Sequence, residues 1–389
     1  MRQSRTLLSA IALTLLSGIT GTVFAQDTAN PTAGPTPAPV AAVSAPSPGI
    51  VITGVIEANY TFNLNKPVTK ENYNYYFNRK EGQFALNLAE VQIAKAATPE
   101  SRTGFVVKLI EGEVRQYNFI AEDAGSTNIL EAYGTMLIPL GGKELKFDAG
   151  QFETHVGYET LEIGTNNFFS HNYLFSIPSP FYNAGVRASY PVSSKLTVNG
   201  YIYNRYNGRT DNGNRDIAPG FQLTYALSPA SSLVLNGLGS RENLSAPGTA
   251  ANNKQQSVLD LIYTNQASAT TKFVFEGLYR TGKDTANKKY DFYGAALYGI
   301  FGPVGARVEY LTDSKNTFIL GADPNDPNRK VSLSSATLSY EPKAGLFPGA
   351  RTLLEARYDF SNAKLFAKED VGDMSKNQFT ITLGQVYAF

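Results

Sequence analysis

The chain has 389 residues and no cysteine, which excludes disulfides, thiolate metal centres, cysteine nucleophiles and a lipid-modified N-terminal cysteine. Charged residues make up 17%, below the roughly 25% of a typical soluble domain, whereas 23 tyrosines and 23 phenylalanines supply many aromatic rings. The net charge of +1 gives no reason to expect a nucleic-acid partner, and the slightly negative mean hydropathy excludes a protein built from long apolar membrane helices.

The first residues have the order of features of an export signal. Arg2 and Arg5 precede an apolar run over residues 7–16, and Val23 and Ala25 are short enough for the two small-residue positions of a signal-peptidase site. The alternative is a membrane anchor, but the run is shorter than the roughly 20 residues that a spanning helix needs. We predict a signal peptide over 1–25, cleaved after Ala25.

A proline-rich stretch follows the predicted cleavage site. Residues 26–48 interleave prolines with alanine, threonine and serine, a composition that cannot bury enough apolar surface to fold. We interpret the stretch as an extended periplasmic linker, with a polyproline ligand for a periplasmic partner as the alternative. The folded domain is then predicted over 49–389.

From residue 50 to the C-terminus the hydrophobic pattern has a period of two, and no segment sustains a helical period. In the first run, Ile52, Ile56 and Phe62 share one face, while Glu57 and Asn59 occupy the other. Two all-β folds share this alternation. A soluble sandwich packs its apolar face against a second sheet, whereas a membrane barrel turns that face toward lipid.

Three features favour the membrane barrel. Tyrosine and phenylalanine cluster at the ends of runs, as at Tyr60, Phe62, Tyr387 and Phe389, where an aromatic girdle would meet the membrane interface. The polar faces carry charges of both signs in mid-run, which a wet lumen tolerates and a small dry barrel would not. The connections between runs alternate between short and long, as in outer-membrane barrels.

The predicted fold is all-β, a transmembrane antiparallel β-barrel of about sixteen strands. An even number places both ends of the sheet on the periplasmic side, so the first and last strands can pair and close the barrel. Closure is required because an open sheet edge in lipid leaves polar backbone groups without hydrogen-bond partners. The predicted strands span residues 50–63, 83–95, 103–115, 128–138, 143–153, 183–190, 194–205, 217–227, 232–240, 256–264, 271–280, 290–299, 303–312, 331–340, 351–360 and 377–389.

The longest connection, Thr154 to Tyr182, follows the fifth predicted strand. A connection of this length without low-complexity composition should have a function or a packed structure. We predict that it folds into the lumen, where Glu159 and Glu162 face basic residues such as Arg187, Arg307 and Arg357. The opposed charges would set up a transverse field that screens solutes by charge and size. The alternative is that it only covers the mouth with its acids in water. The predicted pore-lining residues are Glu159, Glu162, Lys108, Glu131, Arg187, Arg307, Glu309 and Arg357.

Several stretches resemble the family of OmpL-like β-barrel porins of Gram-negative bacteria. They are residues 147–152 (FDAGQF), Gly157-Tyr158-Glu159, Ser170-His171 and residues 180–187 (PFYNAGVR), and the upstream residues 84–91 and 104–109 fit the same pattern. The resemblance implies an outer-membrane channel. The closing Tyr387-Ala388-Phe389 looks like the C-terminal aromatic signal of the barrel-assembly machinery.

Other functions remain open from the residues alone. Ser170, His171 and His155 could in principle form a hydrolase site, but adjacent side chains of an extended chain point opposite ways and no GxSxG elbow surrounds a serine. Asp323 and Asp326 could bind calcium through their oxygens, although the interleaved prolines describe an exposed loop more simply. An adhesin or receptor using external loops is a further alternative.

We predict a passive porin of the bacterial outer membrane that passes small hydrophilic solutes and ions. It is not expected to be an enzyme or to need a cofactor. Its expected partners are outer-membrane lipid, the assembly machinery through Tyr387 and Phe389, and the solutes, and a homotrimer is left open.

Overall fold

The computed structural model describes residues 49–73, 75–118, 128–211, 213–244, 252–284, 287–314 and 330–389. The predicted signal peptide and linker, and the alternative calcium site at Asp323 and Asp326, lie outside these residues. The barrel strands are β1 Val51–Asn63, β2 Phe84–Lys95, β3 Thr103–Glu111, β4 Ile129–Leu140, β5 Lys143–Glu153, β6 Tyr182–Pro191, β7 Leu196–Tyr203, β8 Ala218–Ser228, β9 Ser231–Asn243, β10 Asn253–Ser268, β11 Thr271–Lys283, β12 Lys289–Phe301, β13 Val304–Asp313, β14 Val331–Tyr340, β15 Ala350–Ser361 and β18 Asn377–Ala388.

The connections contain a few short elements. Helix α1 spans Glu113–Asn118, helix α2 spans Tyr173–Ser176, a 3₁₀ turn spans Ile163–Thr165, and strands β16 (Phe366–Ala367) and β17 (Met374–Ser375) form a small hairpin. Within the described residues, no helix has the length and apolar character needed to cross a membrane.

The sixteen long strands form one closed antiparallel barrel, in which each strand pairs with its neighbours along the chain and β1 pairs with β18. The closing register joins Val55 to Ala388 and Asn63 to Thr380. The peptide groups of Gly54 and Phe389 exchange hydrogen bonds of 2.9 and 3.0 Å. The predicted strand number and closure are therefore confirmed.

The two faces of the sheet are inverted relative to a soluble protein. On β1, Glu57 and Thr61 are fully buried, whereas Ile56 is 46% exposed; on β13, Arg307 is buried and Val308 is 52% exposed. The apolar face thus points outward around the barrel, and the inward face carries most of the polar residues. On β9 and β10, Val234, Leu238 and Val258 also point inward and pack in one buried cluster with apolar residues of the connection 154–181. This arrangement requires lipid outside, and it decides against the soluble sandwich.

The two ends of the barrel differ. Tight turns such as 141–142, 229–230 and 302–303 join the strands at one end, which we call the turn end. Gly141 and Gly142 have φ of +59° and +76°, the left-handed region that a two-residue hairpin turn requires. Longer connections such as 64–83 and 362–376 lie at the other end, the loop end.

Three connections from the loop end pack inside or over the barrel. One is residues 154–181, here called the inner segment, which is buried along almost its whole length. Residues 64–83 cover it: the Tyr75 hydroxyl donates to Asp359 at 2.8 Å, and the Phe77 ring stacks on His171 at 3.7 Å. The hairpin β16–β17 contributes Phe366, whose ring contacts Tyr73 edge-on. The mouth is therefore lined with aromatic rings that the alternation of the strands did not predict.

Candidate functional site

The inner segment crosses the lumen and is fixed to strands on widely separated parts of the wall. Its backbone N–H groups donate to Asp260 on β10 (from Gly157, 3.0 Å), Glu355 on β15 (from Phe169, 2.8 Å) and Glu57 on β1 (from Gly164, 3.0 Å). Because β1, β10 and β15 stand at different positions around the barrel, these contacts place the segment inside the lumen, as its length led us to expect.

Carboxylates of the wall are the main acceptors for this irregular backbone. Glu276 on β11 accepts from the N–H of Tyr158 at 3.1 Å and from the Asn172 amide at 2.7 Å, and Glu309 on β13 accepts from the N–H of Tyr173. A buried backbone without sheet partners needs acceptors, and an ionised carboxylate supplies only acceptor sites. These contacts explain why single acidic residues stand in the middle of the inward strand faces.

Arg307 makes the principal ion pair between wall and segment. Its Nη1 donates to Glu159 at 2.8 Å and to the Ser170 carbonyl at 2.7 Å, and its Nη2 donates to the Ser170 hydroxyl at 3.1 Å. Glu309 lies 3.5 Å from its Nε. The predicted pairing of Glu159 with a lumen arginine is therefore present, as a direct contact with no open space between the charges.

Arg357 approaches the same part of the segment from β15. It donates to Asp359 at 2.7 Å and to the His171 carbonyl at 2.6 Å, and Glu309 lies 3.3 Å away. Its Nη1 also donates to the Ser170 hydroxyl at 3.2 Å. Two guanidinium groups thus converge on one buried serine.

Lys108 on β3 holds the other side of the segment. Its ammonium contacts Glu153 at 2.6 Å, Glu131 at 3.4 Å and Glu162 of the inner segment. Burial would raise the pKa of Glu162, but the Lys108 charge and hydrogen bonds outweigh it and hold the pKa at about 2. Glu162 therefore pairs with a lysine, where the sequence predicted an arginine.

Arg187, the third predicted arginine, pairs elsewhere. Its Nε donates to Asp148 on β5 at 2.7 Å, and its guanidinium lies 4.3 Å from the centre of the Phe152 ring and 4.7 Å from that of Tyr133. The structure thus groups Arg307, Arg357 and Glu309 with Glu159, groups Lys108 and Glu131 with Glu162, and places Arg187 apart from both.

Both histidines are packed between aromatic rings. His155 stacks on Tyr201 at 4.0 Å, and the Nε2 of His171 donates to the Thr160 carbonyl at 2.6 Å. Burial lowers the pKa of His155 to about 4 and that of His171 to about 3. Both rings are therefore neutral at pH 7.

The proposed hydrolase arrangement is not assembled in the described residues. The Ser170 hydroxyl is held by Arg307 and Arg357, and neither histidine ring hydrogen-bonds to it. In the same ranges, no cluster of three or more histidine, aspartate or glutamate side chains has the geometry to hold a metal ion.

The sequence prediction omitted four wall acids that the inner segment uses. They are Glu57, Asp260, Glu276 and Glu355. Glu57, Glu276 and Glu355 were visible as acidic residues on polar strand faces. What the pattern could not show is that their partners are backbone N–H groups of a connection far away in sequence.

Comparisons with known proteins agree with this architecture. Residues 49–389 match the family described as "Putative beta-barrel porin-2, OmpL-like". Among curated proteins, no sequence matches this chain significantly.

Solved outer-membrane barrels have the same fold at low identity. An anion-selective porin from Comamonas acidovorans aligns with a TM-score of 0.55 at 9% identity, covering 88% of this chain and 99% of the porin. The outer-membrane channel DcaP of Acinetobacter baumannii gives 0.52 at 11% identity, covering 87% and 97%. In-vitro folded OmpT of Vibrio cholerae, in its trimer form, gives 0.51 at 11% identity, covering 88% and 99%.

Proposed function

Since the chain belongs to the family of OmpL-like β-barrel porins, we propose that it passes small hydrophilic solutes passively across the outer membrane and that the inner segment sets what can pass. The observation that carries the second part is the fixation of residues 154–181 to the wall on several sides of the lumen. A segment held in this way narrows a sixteen-strand lumen that would otherwise be wide.

We propose that the predicted pore-lining residues other than Arg187 hold this constriction in position. Arg307, Arg357 and Glu309 hold the part of the segment around Glu159 and Ser170. Lys108 and Glu131 hold the part around Glu162. Because the charges are paired directly, their first effect on permeation is through the position of the segment, and their long-range field is a smaller effect.

Conductance of the purified protein in a planar bilayer tests the channel. We expect stepwise openings, with a reversal potential in a salt gradient that reports ion preference. The double variant Glu159→Gln and Glu162→Gln should shift that preference toward anions, because each substitution takes a compensating carboxylate from Arg307 or Lys108 and so leaves a positive charge that the ion pair neutralises in the wild type.

A matched control is the double variant Glu100→Gln and Glu369→Gln, which removes the same charge from two exposed loop residues. It should leave the preference unchanged. Absence of conductance above background would contradict the channel and favour a receptor that uses its external surface. An unchanged preference in the Glu159 and Glu162 variant would contradict the constriction.

The remaining proposals concern export and assembly. We propose that residues 1–25 are a cleaved signal peptide, that 26–48 are a periplasmic linker of a Gram-negative envelope protein, and that 49–389 form the barrel domain. Tyr387 and Phe389 supply the signal for the assembly machinery, and the outward apolar face contacts outer-membrane lipid. The trimer form of OmpT supports a homotrimer here as well. No catalytic step is assigned to the barrel.

A further inference from the structure

We propose that the solute-accessible wall on the turn-end side of the inner segment selects small anions, and that Lys272, Lys146 and Arg187 are the residues that determine this selectivity. The inference rests on the proposed channel function and adds a solute class to it. Arg187 is already among the pore-lining residues predicted from the sequence, and that prediction placed a transverse field between Glu159, Glu162 and basic residues. Neither a role for Lys272 and Lys146 nor a solute class follows from the sequence pattern.

The acidic residues of the constriction have little electrostatic influence on a passing solute. The side chains of Glu159, Glu162 and Glu131 are 2%, 7% and 0% exposed. Their carboxylates contact Arg307 or Lys108 directly. A paired and covered carboxylate has a weak field at the distance of a solute in water, so selectivity must come from charges that remain accessible.

Lys272 is one such accessible charge. It is the second residue of β11, four residues nearer the turn end than Glu276, which anchors the inner segment. It is partly exposed, and its ammonium lies 5.6 Å from the centre of the Tyr158 ring. Among the described residues, no carboxylate forms an ion pair with this ammonium, so its positive charge is uncompensated at close range.

Lys146 and Arg187 supply a second positive centre on β5 and β6. They share one carboxylate: Asp148 lies 2.7 Å from Arg187 and 3.4 Å from Lys146. The side chain of Lys146 is 27% exposed and that of Arg187 12%. Both cations also face the Tyr133 ring, at 6.0 and 4.7 Å. Two cations against one anion leave a net positive charge, and the ring and the carboxylate hold it in position.

Neutral amides occupy part of the wall between the two centres. Asn199 on β7 donates to Gln222 on β8 at 3.0 Å, and Gln222 donates to Asn236 on β9 at 2.9 Å. Amides offer both donors and acceptors and bring no charge of their own. The wall from β5 to β11 thus presents two basic centres with polar groups between them, a pattern that binds anions weakly at more than one place.

Small anions with carboxylate or phosphate oxygens fit this wall. Guanidinium and ammonium groups are the side chains that recognise such oxygens. Permeation also requires that binding be weak enough for release, which separated single charges provide better than a cluster.

Reversal potentials of single channels in a potassium chloride gradient test the proposal. The wild-type protein should prefer chloride. Lys272→Gln should lower the chloride-to-potassium permeability ratio by about sevenfold, because one unit charge at about 7 Å in water changes the local population of each ion about threefold and does so in opposite directions for chloride and potassium. Lys146→Gln should change it in the same direction, and Lys272→Arg should keep the wild-type ratio. Low salt gives the largest differences, because screening is then weakest.

The matched control is Lys376→Gln, which removes the same charge from an exposed residue before β18 at the loop end. Its ratio should stay at the wild-type value. A potassium preference of the wild type would overturn the proposal, and so would Lys272→Gln and Lys146→Gln channels with unaltered ratios. If the wild-type protein shows no conductance at all, the proposed channel function itself is contradicted.

Discussion

Acidic side chains inside this barrel act first on the backbone of the inner segment. Glu355 accepts from the N–H groups of Phe169 and Ser170, and Glu276 accepts from that of Tyr158. Leaving such buried donors without acceptors would cost about 1–3 kcal/mol each. A glutamine at these positions keeps an acceptor, whereas an alanine removes it, so the two substitutions separate the role of hydrogen bonding from that of charge.

His171 makes the packing of the inner segment sensitive to acid. Burial between Phe77 and Phe175 lowers its pKa to about 3, whereas a released imidazole titrates near 6.5. The packed state is therefore favoured above pH 6.5 and loses stability as the pH falls from 6.5 to 3, by up to about 1.4 kcal/mol per pH unit. The nearby charges of Arg307 and Arg357 act in the same direction, and that of Glu162 acts against them.

His171→Gln should reduce this acid sensitivity, because it keeps a donor for the Thr160 carbonyl and does not titrate. We expect the rate of proteolytic cleavage within residues 154–181 to rise less between pH 7 and pH 4.5 in the variant than in the wild type. For each protein, the readout is the ratio of the cleavage rate at pH 4.5 to that at pH 7. This ratio removes the effect of the lost ring stacking, which the glutamine variant shows at every pH. Equal ratios in both proteins would contradict the prediction.

At the scale of elements, the inner segment depends on a glycine of the closing strand. The Phe169 ring lies against Gly384 of β18, so closely that an added methyl group would overlap it. Phe169 packs with Ile163, Leu353 and Val386 in one apolar cluster. The contact needs a residue without a side chain on β18 and an aromatic ring on the segment.

Gly384→Ala should therefore dislodge Phe169 and loosen the inner segment, while the barrel itself stays folded. We expect a larger single-channel conductance and faster proteolysis of residues 154–181, with unchanged heat-modifiable migration of the barrel on a gel. The control is Gly134→Ala on β4, where an added methyl group meets nothing within 4 Å. If both variants behave alike, the contact does not hold the segment.

The strand pattern predicted the barrel elements closely, and its deviations have local causes. The third strand was predicted over 103–115 but ends at Glu111, because Gly112 adopts φ of +115° and helix α1 begins directly after it. Strand β10 spans Asn253–Ser268, longer than the predicted 256–264, because it pairs with both β9 and β11 beyond the apolar residues of the run. The hairpin β16–β17 was not predicted, since two-residue strands leave no alternation to read.

For the whole molecule, closure and assembly depend on the last residues. The peptide groups of Phe389 and Gly54 bond to each other, while the Phe389 ring is 51% exposed and covers Gly54. The backbone contacts close the sheet without help from the ring. The ring is thus free to serve as the proposed assembly signal.

Phe389→Ala should lower the amount of assembled barrel in the outer membrane several-fold but leave refolding of the purified chain in detergent nearly unchanged. Heat-modifiable migration measures the folded fraction in both experiments. Phe379→Ala, on the outer face of the same strand, is the matched control and should assemble normally. A parallel loss in cells and in detergent would assign the ring to closure and contradict the signal.

The sequence by itself determined the barrel. Alternation places an apolar and a polar face on every strand, and lipid outside leaves closure as the low-energy arrangement, so local pattern and solvent suffice for the strands and their number. Only the tertiary structure decided the partners inside. Glu159 meets Arg307 and Glu162 meets Lys108 across 148 and 54 positions of the chain. These pairings depend on where an irregular segment lies in three dimensions, and no periodicity of the sequence encodes that position.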